Sequence, residues 1–238
     1  MKKNMKKRIC AMVVLGAVAF IGEAAVFEGS QVQAATVKNG LKKENGKYYY
    51  YVKGKKVKST WKTIEYYGKC YFGKDGSAYI GWKKVGSSYY CFDTKGRMQR
   101  LCIKKVNGKY YYFGDNGKIK KSAWVSYKGS RYYLSSNGAA LTGIRLVNGK
   151  FCQFASNGKM NVAKSRKLRA AAVYESDFST LKKLLGTAKK TKSLGAGCFI
   201  PSWDNSGEGF WTDYEYTYNG FKVWTSKKGD QEVFLYAE

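Results

Sequence analysis

The sequence predicts a mainly β protein, a solenoid of about six ~20-residue β-hairpin repeats followed by a small α+β C-terminal domain. Three observations predict it. Two series of glycines recur in phase, short aromatic runs keep the same beat, and both pattern and charge change between residues 164 and 171.

The first series is Gly46, Gly68, Gly86, Gly108, Gly129 and Gly149, spaced by 22, 18, 22, 21 and 20 residues. The second is Gly54, Gly76, Gly96, Gly117, Gly138 and Gly158. Self-similarity at such a period marks a repeat architecture, in which stacked units bury what a single unit cannot. After each first-series glycine comes a run rich in Tyr and Phe, suited to a pleated strand. Around the second series, steps such as Asp-Asn-Gly and Ser-Asn-Gly tolerate positive φ and are expected to turn the chain into a hairpin. A second short strand is expected to follow, for example over residues 55–58 and 118–121, ending at Trp61, Trp82 or Trp124; Ile144 takes that place once. Pro201 is the only proline, which suits uninterrupted strands.

Residues 164–173 read as a basic linker, and residues 174–238 as the small α+β domain. Ser176 or Asp177 can cap a helix with Phe178, Leu181, Leu184 and Leu185 on one face, stopped by Gly186. Residues 189–197 read as a loop. Residues 212–225 alternate around Asn219-Gly220, a hairpin signal, and residues 231–236 read as a last strand.

Residues 1–34 have the layout of a secretory signal peptide: basic Lys2, Lys3, Lys6, Lys7 and Arg8, an apolar stretch over 9–22, and a small-residue exit ending at Ala34. A secreted protein is expected, without a transmembrane segment in the mature chain and held at the surface non-covalently. Removing residues 1–34 takes the net charge from +28 to +25 (five basic and two acidic residues lost). Residues 35–170 hold 31 Lys and Arg against Glu44, Glu65, Asp75, Asp93 and Asp115, or +26, and the remainder carries −1. Such asymmetry separates two regions with different roles. Cys70, Cys91, Cys102, Cys152 and Cys198 are odd in number and contain no CxxC pair, so a disulfide framework cannot include all of them. Most are expected where neighbouring repeats carry an aromatic or aliphatic residue. No metal site is indicated.

The segments Gly81-Trp82-Lys83-Lys84-Val85, Asn107-Gly108-Lys109-Tyr110-Tyr111-Tyr112-Phe113, Asp115-Asn116-Gly117-Lys118-Ile119 and Leu141-Thr142-Gly143-Ile144 resemble the cell wall-binding repeat family. That family comprises choline-binding and glucan-binding repeats, with relatives in clostridial toxin C-terminal regions. The resemblance covers about residues 40–160. It implies a left-handed hairpin solenoid that binds ligands between successive units, with quaternary ammonium groups held against aromatic faces by cation–π attraction. Carried onto this sequence, one wall of such a cage is Trp61, Trp82 and Trp124. The second wall, counted from the glycine, is Tyr48, Cys70, Ser88, Tyr110, Arg131 and Phe151. Cages are thus expected near Trp61 and Trp124, with Tyr71, Tyr90 and Tyr111 as further candidate ring contacts.

Half of the second-wall positions lack an aromatic ring, which moves weight from choline toward carbohydrate or anionic teichoic acid. Aromatic faces also stack on sugars, and a cationic surface attracts polyanions in a salt-dependent way. Nucleic acid is not expected for an exported chain. No catalytic residue or cofactor is indicated: the chain has no His, and Asp204, Glu208, Asp213 and Glu215 fall on a polar loop and a small hairpin. The expected function is non-catalytic attachment to a Gram-positive cell surface through wall polymers. The alternatives are an outward-facing adhesin or glucan-binding protein, and a wall hydrolase or inhibitor active in the C-terminal domain.

Overall fold

The computed structural model describes residues 37–197, 199–207 and 209–238. The expected signal peptide, Cys198 and Glu208 lie outside these residues. Lys38–Glu238 form one compact unit.

Six antiparallel hairpins follow one another among the described residues. They are β1 (Gly40–Glu44) with β2 (Lys47–Val52), β4 (Thr60–Ile64) with β5 (Gly68–Phe72), and β6 (Gly81–Val85) with β7 (Ser88–Phe92). Then come β8 (Cys102–Val106) with β9 (Lys109–Phe113), β10 (Ala123–Tyr127) with β11 (Ser130–Leu134), and β12 (Gly143–Val147) with β13 (Lys150–Phe154). Two-residue strands β3 (Lys55–Lys56) and β14 (Met160–Asn161) flank the first and last.

The expected hairpin solenoid is therefore present, but its strands pair one step out of the expected phase. The hairpins turn at the first glycine series, not the second, except that the second hairpin turns just before Gly68, which begins β5. At Asn107-Gly108, φ is +47° and +78°, the positive pair of a type I′ turn, whose twist matches the flanking strands. The second series closes a tighter loop, after which the chain makes only a single bridge, as between Phe113 and Ile119. The strand expected over 118–121 shrinks to that bridge, and the one over 55–58 to β3. Each tryptophan sits instead in the first strand of the next hairpin.

The two glycine series thus answer different demands. A Cβ at Gly108 would meet nothing within 4 Å, so only its φ calls for glycine. A Cβ at Gly96 would stand 2.7 Å from the Ala78 Cβ in the preceding loop, so there close stacking of loops adds to a φ of +79°.

Each hairpin has two faces, since side chains alternate along a strand. One face carries Tyr51, Phe72, Phe92, Phe113, Leu134 or Phe154 at the end of the aromatic strand, all no more than 5% exposed. The other carries Leu41, Trp61, Trp82, Ile103, Trp124 or Ile144. The second face of one hairpin packs on the first face of the next. Leu41 lies against Cys70 and Phe72, Ile103 against Tyr132 and Leu134, and Trp124 against Cys152 and Phe154. Each phenylalanine so buried contributes roughly 1.5–3 kcal/mol. Cys70 and Cys152 fill the core column that holds Tyr90 and Tyr132 elsewhere, which agrees with the packing role expected of them. Backbone bonds tie successive hairpins: the amides of Ala78, Met98 and Ala140 donate to the carbonyls of Tyr48, Lys69 and Tyr110 at 2.8, 2.7 and 2.8 Å.

The array closes at both ends. On the outer face of the first hairpin, the Tyr51 hydroxyl donates to Glu44 at 2.9 Å and the Lys56 Nζ lies 3.4 Å from the Tyr49 ring centre. The last hairpin places Ile144, Leu146 and Phe151 against the C-terminal α+β core of Leu168, Phe178, Leu181, Phe221 and Val223. Phe151 meets Phe221 edge-on at 5.5 Å.

That C-terminal region differs from expectation in two places. The basic stretch 164–173 forms most of a helix, α1 (Val162–Ala171), with Ser165 and Leu168 buried. Its Ala, Lys, Arg and Leu are strong helix formers, and the Asn161 side chain caps it by accepting from the Lys164 amide at 2.9 Å. The second helix, α2 (Phe178–Leu185), ends at Gly186 as expected, though Leu184 is exposed while Phe178 and Leu181 are buried. The segment read as a loop forms β15 (Lys190–Ala196), an exposed edge strand. It continues into β16 (Thr212–Thr217), β17 (Lys222–Lys228) and β18 (Gln231–Ala237), ordered β15-β16-β17-β18 and all antiparallel. No helix of the described residues is long and apolar enough to cross a membrane.

Candidate functional site

The half-buried tryptophans line the interfaces between hairpins. Trp61 lies 5.2 Å from Tyr71 on its own hairpin and 4.9 and 5.8 Å from Tyr90 and Phe92 on the next. Tyr79 extends this cluster, 5.0 Å from Tyr71 and 6.2 Å from Phe92. Trp82 stacks on Tyr89 at 5.0 Å and 25°, and meets Tyr111 and Phe113 of the next hairpin at 4.7 and 5.8 Å. Trp124 meets Tyr133 at 5.2 Å and Phe154 at 6.0 Å.

Strand register fixes which residue occupies the position expected of the second wall. Aligned on the buried column from Tyr51 to Phe154, the position reads Tyr48, Lys69, Tyr89, Tyr110, Arg131 and Phe151. Counting from the glycine placed Cys70 and Ser88 there instead. It slipped because the second hairpin turns over three residues, Glu65 to Tyr67, and leaves Gly68 inside β5, whereas Gly86 lies within the turn of the third.

The correction relocates the aromatic second wall. It stands beside Trp82, where Tyr89 stacks, and not beside Trp61 or Trp124, where cages were expected. The Lys69 Nζ lies 5.0 Å from the Trp61 ring centre, and the Arg131 guanidinium 4.6 Å from that of Trp124. Two of the three tryptophans therefore already hold a cation from their own chain. Tyr48 faces Tyr67 at 6.2 Å, and Tyr110 lies under Lys105 at 5.7 Å. Ile103 occupies the tryptophan position of the fourth hairpin, so no indole stands beside Tyr110.

Of these residues, sequence reasoning missed Lys69, Tyr79, Tyr89 and Ile103. The register would have shown three of them; Tyr79 belongs to no repeating position, since Gln99, Lys120 and Leu141 fill its equivalents.

Two of the carboxylates near Trp203 and Trp211, Asp204 and Glu215, are engaged in structure. Asp204 accepts from Lys228 at 2.8 Å, Ser206 at 2.6 Å and the Trp211 indole at 2.7 Å, which holds its carboxyl well below the usual carboxylate range. Lys222, bonded at 2.9 Å, likewise lowers Glu215. Groups held ionised in this way are poor proton donors.

A family profile described as a putative cell wall binding repeat matches residues 104–119 and 122–140. A search of curated proteins finds no match. Among solved structures, the chain is similar to CbpJ from Streptococcus pneumoniae TIGR4, with 24% identity, a TM-score of 0.43, and coverage of 52% of this chain and 42% of that one. For choline binding protein F from Streptococcus pneumoniae the figures are 29%, 0.42, 52% and 42%. For the choline-binding domain of CbpL from the same organism they are 25%, 0.42, 52% and 65%. The chain thus spans less than two thirds of the length of each. The matched segments, residues 104–119 and 122–140, lie at the centre of the hairpin array and are similar to a cell wall binding repeat.

Proposed function

We propose that the chain is exported and attaches non-catalytically to the cell surface by binding wall polymers through its hairpin array. The observation that carries this reading is the row of half-buried tryptophans between successive hairpins, set in the strongly cationic stretch 35–170. Aromatic faces supply platforms for sugar rings or ammonium groups, and the lysines and arginines supply attraction to anionic teichoic acid. The Trp82 interface, with Tyr89, Tyr111 and Phe113, is the one suited to an ammonium group. One site of this kind binds weakly, so retention depends on several contacts to one polymer.

The test is retention of residues 35–238 on purified Gram-positive walls. Release by choline assigns the attachment to aromatic cages; release only by raised salt assigns it to charge. Absence of retention under both conditions overturns the proposal. Loss of turbidity of the wall suspension would overturn its non-catalytic part.

A further inference from the structure

Where Trp124 faces the last hairpin, a cavity of about 500 Å³ is lined by Trp124, Arg131, Asn148, Lys150, Cys152 and Arg169, among others. Three of these are cations, and no carboxylate lines the cavity. They come from three elements: Arg131 from β11, Lys150 from β13, and Arg169 from the last turn of α1. The Arg169 guanidinium is anchored, donating to the Phe151 carbonyl at 3.1 Å. The Arg131 guanidinium lies over the Trp124 ring at 4.6 Å. Burial raises the Cys152 thiol, and the Arg169 and Arg131 guanidiniums pull it the other way.

The surroundings offer these cations no counter-charge along the chain. Residues 116–174 contain twelve Lys and Arg and no Asp or Glu. By contrast, Arg97 is paired with Asp93 at 2.7 Å and Lys38 with Glu44 at 2.7 Å. Cations that line one cavity with no carboxylate among them repel one another, and an anion relieves that repulsion. Planar guanidiniums match phosphate oxygens better than single-point ammonium groups do.

We propose that this cavity is an anion site for the phosphate group of a phosphate-bearing wall polymer. Arg131, Lys150 and Arg169 hold the phosphate, and Trp124, whose ring face Arg131 covers, borders the adjoining glycerol or sugar. The source of the phosphate rests on the surface-binding reading; the chemistry of the site rests on the cavity alone.

The experiment is calorimetric titration of residues 35–238 with poly(glycerol phosphate) and, separately, with inorganic phosphate and choline chloride. Arg131 is exposed, so Arg131→Gln should fold; the exposed Lys118, outside the cavity, serves as control through Lys118→Gln. Arg131→Gln is expected to weaken polymer binding at least ten-fold, Arg131→Lys less, and Lys118→Gln less than two-fold. Binding of inorganic phosphate with the same sensitivity to Arg131 would place recognition in the phosphate alone; polymer binding without it would make the glycerol part of the ligand. Equal weakening by Arg131→Gln and Lys118→Gln, or no binding of either phosphate probe, overturns the site. If walls retain the chain while Arg131→Gln changes nothing, only this inference falls. If the cavity binds the polymer while walls do not retain the chain, the surface-binding reading falls alone.

Discussion

Gly96→Ala and Gly108→Ala are chemically the same change at nearly the same backbone angle, φ +79° and +78°, yet they should not cost the same. An L-residue in the left-handed region costs about 1–2 kcal/mol, and the stiffer unfolded chain returns about 0.4–1 kcal/mol. That sum, near 1 kcal/mol, is the whole expected cost at Gly108, where a Cβ finds open space. At Gly96 the new methyl stands 2.7 Å from the Ala78 Cβ and 3.4 Å from the Tyr79 carbonyl oxygen. The two loops must part, and overpacking of this kind adds about 1–3 kcal/mol. With a urea slope of about 2 kcal/mol/M, the Gly96→Ala midpoint should fall roughly 0.5–1.5 M below that of Gly108→Ala. Adding Ala78→Gly removes the clashing methyl, so a double-mutant cycle should show coupling that offsets part of the loss. Coincident midpoints for the two single variants would refute the assignment of close loop stacking to the second glycine series.

Three other outcomes are expected. Asp204 is held ionised below its ordinary range, so its contribution is present above the unfolded pKa of about 4 and is lost as pH falls below it. Melting temperature followed from pH 6 to 2.5 should drop less steeply in Asp204→Asn, which is already weakened at pH 7. Arg131→Tyr replaces a resident cation with a ring beside Trp124 and should raise choline affinity about 2- to 30-fold, from the 0.5–2 kcal/mol of a cation–π contact; an unchanged fluorescence titration would contradict the corrected register. The Cys70 thiol, fully buried and pushed up to about 11, should resist iodoacetamide at pH 8 until the chain is unfolded, as read by mass spectrometry of the peptide.

The repeat period, α2 and the Asn219-Gly220 hairpin were legible because each has a local signature. The phase of strand pairing was not. Both glycine series carry turn-forming residues, and what separates them is the length of chain that can pair afterwards, a property of stacking and not of turn chemistry. The second-wall register failed where turn length changed, at Glu65–Tyr67 and Gly86, because a glycine can stand inside a strand or inside a turn. Lys190–Ala196 lacked any alternation to read, since an exposed edge strand is held by backbone pairing with β16. In α1 the basic composition masked strong helix formers, and the buried Leu168 becomes apolar surface to cover only once the last hairpin lies beneath it.

The polarity of the stack has a consequence for assembly. Every junction joins unlike faces head-to-tail, the kind of contact that propagates into open filaments when its ends are free. Here the leading end is guarded by Glu44, Tyr51 and Lys56, and the trailing end is sealed by the α+β core. Cutting the chain after Asn161 would expose Ile144, Leu146 and Phe151, yet the complementary end would still be shielded by charge. Truncated chains would then meet through their two exposed trailing faces, giving a closed pair with two-fold symmetry in place of a fibre.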